Sequence, residues 1–98
     1  MTAYGFVEVT GVTAAITLLD EMVKGANVTP VTWEKKWGGR LVSVLVKGDT
    51  AAVQAAIDIA NASGFKKPVL SGVLSNPHEE VVRLIGKSKG LGALPPLN

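Results

Sequence analysis

Two stretches of helical periodicity flank a pair of strand-like runs joined by a short basic turn, and this order limits the folds open to the chain more than any other feature. Residues 28–34 hold Val, Thr and Trp in a β-like run, and residues 40–47 (Arg-Leu-Val-Ser-Val-Leu-Val-Lys) form the clearest strand. Residues 35–39 between them are basic and contain glycine, so the two runs are expected to pair as an antiparallel hairpin. Upstream, residues 4–10 read as a strand with Phe6 and Glu8 on one face and Val7 and Val9 on the other, broken by Gly11. The apolar residues Val12, Ala15, Ile16, Leu19, Met22, Val23 and Ala26 then recur at helical spacing, opposite a polar face of Asp20, Glu21 and Lys24.

Downstream, Gly48-Asp49-Thr50 is a helix start, with Asp49 suited to cap exposed amides. Val53, Ala56, Ile57 and Ala60 give that helix a narrow stripe of small and branched side chains. Residues 61–67 read as a loop and 69–74 as a fourth strand. Asn76-Pro77-His78-Glu79 has the form of a capping box and opens a short last helix to about residue 85. The order is β-α-β-β-α-β plus a terminal helix, an α/β (α+β) domain whose first six elements match the ferredoxin-like split βαβ arrangement. One domain over residues 1–85 and a mobile tail over 86–98, with Pro95-Pro96 near its end, are expected.

Composition narrows the function. A chain of 98 residues that is 47% hydrophobic and only 18% charged carries more apolar surface than a small monomer usually exposes, which points to burial against other subunits. With no cysteine and one histidine, His78, disulfides, cysteine nucleophiles and a His-rich metal cage within one chain are excluded. No run reaches the ~18 apolar residues of a membrane helix. The opening Met1-Thr2-Ala3-Tyr4 lacks the basic start and apolar core of a secretory signal, so a cytosolic location is expected. Of the net charge of +2, all is contributed by Lys87 and Lys89, because the charges before them balance. Nucleic acid is therefore not expected as a partner.

The residues themselves resemble the single-domain hexameric shell proteins of bacterial microcompartments, the family that coats carboxysomes and the propanediol- and ethanolamine-utilising compartments. The resemblance runs from about residue 4 to residue 85. Its landmarks are Tyr4-Gly5-Phe6-Val7-Glu8, Thr13-Ala14-Ala15-Ile16, Met22-Val23-Lys24-Gly25-Ala26-Asn27-Val28, Trp33-Glu34-Lys35, Val44-Leu45-Val46-Lys47-Gly48-Asp49 and Pro77-His78. The order and spacing of these strings carry the match, since each alone recurs by chance. It implies a structural, non-enzymatic subunit of a homo-hexameric ring that tiles with other rings and shell proteins in the cytoplasm. Small metabolites would cross at the ring axis, encapsulated enzymes would be possible partners, and no cofactor, metal, nucleic acid or membrane is implied.

By the same resemblance, Lys36-Trp37-Gly38-Gly39 falls where the family places its pore loop, flanked by the basic residues Lys35 and Arg40. Glycines there let backbone amides approach the axis, and the basic residues imply a field favouring anionic solutes. The loop departs from the usual Gly-Ser-Gly pattern: it is one residue longer, has no serine, and carries Trp37. Lys24 matches the edge lysine between adjoining rings, and Asn27, Asn76, Pro77 and His78 fall in the same edge region. Asn76 stands where the family commonly has an arginine, which weakens the expectation of tiling.

Two other readings share the element order. An RNA-recognition domain is echoed by Tyr4-Gly5-Phe6-Val7, but residues 41–46 lack the aromatics that such domains stack on bases. A ligand-binding regulatory oligomer of ferredoxin-like type is the other, and it implies a small-molecule site between subunits and no hexagonal ring. No phosphate-binding glycine fingerprint or nucleophilic constellation points to an enzyme.

Overall fold

The computed structural model describes residues 2–75. Over that span the chain runs β1 (Thr2–Val9), α1 (Val12–Gly25), β2 (Thr29–Lys36), a single 3-10 turn (Trp37–Gly39), β3 (Leu41–Asp49), α2 (Thr50–Asn61) and β4 (Leu70–Ser75). The expected terminal helix, the tail, and the boundary at residue 85 lie outside the described residues.

The strands form one sheet in the order β2-β3-β1-β4, every neighbouring pair antiparallel. This is the interleaving that two split βαβ units give, as the element order predicts. Alternation along β1 assigns the faces. Ala3, Gly5, Val7 and Val9 are buried, whereas Tyr4, Phe6 and Glu8 are half-buried on the opposite side. Because residues paired across an antiparallel ladder share a face, Val7 opposite Val44 and Val9 opposite Val42 lie together. Both helices cover that face. Ala15, Leu18 and Met22 from α1 and Val53, Ala56 and Ala60 from α2 complete a core in which each is at most 1% exposed.

Local chemistry explains the helix starts. Asp49 accepts a hydrogen bond through Oδ1 from the Ala52 amide at 2.9 Å, satisfying one of the unpaired donors at the start of α2. α1 has no side-chain cap; Gly11 turns the chain at φ 96, a conformation that glycine adopts without steric cost.

Two differences from the sequence reading bear on function. Lys35 and Lys36 belong to β2 and not to the turn, since they pair with Val42 and Leu41. The connection is accordingly one tight turn with Trp37 at its head. At the other end of β2 the register shifts between Pro30 and Thr32. A proline with no amide to donate is tolerated there because β2 is an edge strand.

Candidate pore and assembly site

The hairpin turn projects Trp37 into solvent at 75% exposure, the highest among the exposed large apolar side chains. Its backbone is left-handed at φ 50, followed by Gly38 at φ 66 and ψ 22. Glycine takes this region freely, but a bulky side chain held there stores about 1–3 kcal/mol. The turn is fixed at its far side: the Arg40 amide donates to the Trp37 carbonyl at 3.3 Å, and the Arg40 carbonyl accepts from the Gly11 amide at 3.2 Å. The loop is thus anchored to the β1–α1 junction while its indole remains outside.

The basic residues flanking the turn separate. Lys35 is opposite Val42, on the helix-covered face, and is half-buried at the sheet edge. Arg40 is exposed. Lys36 turns onto the sheet face opposite the helices, where its Nζ donates to Glu8 Oε2 at 3.3 Å and lies 3.8 Å from Glu34 Oε1. Ser43 Oγ donates to the same Glu8 oxygen at 2.7 Å. Two carboxylates therefore share one ammonium, and the field expected from Lys36 is spent on them.

These groups line a pocket of about 140 Å³ whose apolar walls include Phe6 and Leu45. Phe6 lies across Gly72 of β4, where an added Cβ would come within 2.7 Å of the ring. Glu34 is only 9% exposed, and its Oε2 is buried with no hydrogen-bond partner among the described residues. Glu8, Glu34 and Ser43 as a cluster were not foreseen. Alternation puts Glu8 on the Phe6 face, but only the register that sets Glu8 opposite Ser43 brings the cluster together.

The expected edge residues sit at the C-terminal end of α1. Lys24 is exposed and pairs with Asp20 at 3.0 Å, one turn back. Asn27 is exposed just beyond the helix. Ile16 and Val23, read from the sequence as part of the apolar repeat opposite the charges, are instead 49% and 39% exposed, outside the buried face of α1. Asn76, Pro77 and His78 lie outside the described residues. Among the described residues no three His, Cys, Asp or Glu side chains converge in a group able to hold a metal.

An antiparallel sheet with two helices on one face, an anchored turn presenting its tip to solvent, and an outward apolar–charged helix face make up a small α/β domain. The family model of the BMC domain matches residues 3–77. The bacterial microcompartment shell protein PduA of Salmonella typhimurium is 42% identical over 87 residues, which span 87% of this chain and 92% of that protein. The carboxysome shell protein CcmK2 of Synechocystis is 37% identical over 83 residues, spanning 81% of this chain and 80% of that one. A solved microcompartment protein from Desulfitobacterium hafniense superposes with a TM-score of 0.73 at 28% identity. It covers all of this chain, which spans 51% of that protein's length. This chain belongs to the bacterial microcompartment domain family, among its structural shell proteins. That assignment displaces the RNA-recognition and regulatory readings.

Proposed function

We propose that the chain is a shell subunit that closes into a homo-hexameric ring within the microcompartment shell, with the Trp37–Gly39 turn of each copy facing the ring axis and small metabolites passing between the turns. The observation that carries the reading is the turn itself. It holds an exposed indole in a left-handed backbone and anchors it from behind through Gly11 and Arg40, an arrangement that gives the isolated subunit nothing. In a closed ring, six such tips meet and the conformational cost is offset by what they line.

On this reading Lys36, Gly38 and Gly39 shape the turn and Trp37 forms the rim. The face holding Ile16, Val23, Lys24 and Asn27 meets adjoining rings, together with Asn76, Pro77 and His78, and other shell proteins and encapsulated enzymes are the further partners. Native mass spectrometry and sedimentation test it: a sixfold species is expected, and a stable monomer or dimer overturns it. Trp37→Ala then widens the central opening seen by electron microscopy without changing the subunit fold. An opening of unchanged width refutes the placement of Trp37.

A further inference from the structure

We propose that the pocket on the sheet face opposite the two helices is a socket for a basic side chain of a neighbouring copy of this chain. The inference rests on the ring reading and adds to it a contact that holds the ring closed. Three observations carry it.

The pocket is short of one positive charge. Glu8 and Glu34 bring two carboxylates, and among the described residues Lys36 is the one cation beside them, at 3.3 Å and 3.8 Å. Two carboxylates against one ammonium attract a second cation and repel an anion.

Glu34 is left incomplete within the subunit. Only 9% of the residue remains exposed, and Oε2 finds no donor among the described residues. A buried carboxylate oxygen without a hydrogen bond costs stability in the isolated chain, so a partner group that supplies the donor gains what the chain alone lacks.

The surroundings fit a protein neighbour. The polar centre is framed by Phe6 and Leu45, with Tyr4 and Leu74 also half-buried on that face. An apolar frame around a charge-assisted contact is how a buried interface is built. The volume of about 140 Å³ suits the end of one long side chain. The pocket adjoins the turn, because Lys36 and Ser43 lie within two residues of the Lys36–Leu41 pair that closes it. The inference sets this pocket beside the neighbour's turn, an arrangement open to copies whose turns converge on one axis. There Arg40 is exposed and, among the described residues, makes no ion pair. It is the donor that this placement offers, and a planar guanidinium matches a carboxylate better than an ammonium does.

The test is Glu34→Gln, read in two ways. Glu34 meets Lys36 only at 3.8 Å and leaves Oε2 without a donor among the described residues, so exchanging its buried charge for a neutral amide leaves the isolated chain about as stable as the parent, measured by urea unfolding of the dissociated protein. The ring becomes weaker: its dissociation constant, from dilution followed by sedimentation or native mass spectrometry, rises roughly tenfold per contact, the scale of a charge-assisted hydrogen bond. Lys36→Gln moves the ring the other way, since both carboxylates are freed for the incoming cation. Rings of Glu34→Gln as tight as the parent's overturn the inference while leaving the hexamer intact. A parent protein that forms no ring removes the reading beneath it instead.

Discussion

Gly5 lies in the middle of β1 directly beneath α2, and adding one methyl group there tests how closely the helix layer is held. An ideal Cβ at residue 5 would stand 2.7 Å from Val53 Cγ1 and 3.2 Å from Ile57 Cδ1. Favourable carbon–carbon contact begins near ~3.5 Å, so the first approach is too close by about 0.8 Å. Val53 has little freedom to yield: it is fully buried, and a β-branched side chain in a helix keeps one preferred rotamer. The strain must be relieved by displacing α2, which also packs on β3, β4 and α1. Overpacking of this kind costs about 1–3 kcal/mol. Replacing a strand glycine returns about 0.5–1 kcal/mol of backbone entropy, so Gly5→Ala is expected to lose about 1–2 kcal/mol.

Urea unfolding followed by circular dichroism measures the loss, with every variant at one protein concentration because assembly raises apparent stability by mass action. In a thermal scan the same loss corresponds to about 5–15 °C, at 4–8 °C per kcal/mol for a domain of this size. Val53→Ala removes two buried methyl groups and costs about 2 kcal/mol alone. In Gly5→Ala/Val53→Ala the new methyl occupies the vacated space, so the double variant is less damaged than the sum by about 1 kcal/mol or more. A Gly5→Ala protein as stable as its parent, or strict additivity in the double variant, refutes the close contact of α2 with β1.

Ser43→Ala deletes the 2.7 Å hydrogen bond to Glu8. The site is part-exposed, so urea unfolding is expected to show a loss of about 1 kcal/mol, and no loss would mean that Lys36 alone holds Glu8. Asp49→Ala removes the α2 cap and costs about 1 kcal/mol, while Asp49→Asn, which keeps an acceptor, costs much less in the same assay. Lys24→Asp breaks an exposed pair with Asp20 and changes subunit stability by only about 0.5 kcal/mol. Its expected effect is on assembly: electron micrographs show intact rings that no longer associate into sheets, and sheets like the parent's would show that Lys24 is not at the ring edge.

The fold was legible because each part of it is written locally. The break at Gly11, the cap at Asp49 and the hairpin between two apolar runs fix the element order, and alternation in β1 sorts Val7 and Val9 from Phe6 and Glu8. What could not be read depends on pairing between distant strands. Lys35 and Lys36 look like turn residues by composition, and only their register with Val42 and Leu41 keeps them in β2. The left-handed backbone of Trp37 is equally hidden, since the two glycines beside it are the residues chemistry would choose for that conformation. Glu8 and Ser43 stand 35 positions apart, and no spacing rule brings them together.

These corrections change the electrostatics of the proposed opening. A basic loop sequence implies a positive rim that attracts anions, with Lys35, Lys36 and Arg40 as its sources. In the folded chain Lys36 is held by Glu8 and Glu34 on the sheet face opposite the helices, and Lys35 lies on the helix-covered side. If the neighbouring copy's socket also takes Arg40, the charges of the loop are engaged in holding the ring together. The side chain left at the tip is Trp37, which carries no charge. An opening built this way discriminates by size and by affinity for an aromatic surface more than by the sign of charge. Arg40→Gln would then weaken the ring and leave its preference between anionic and neutral solutes unaltered, whereas a positive rim would lose that preference first.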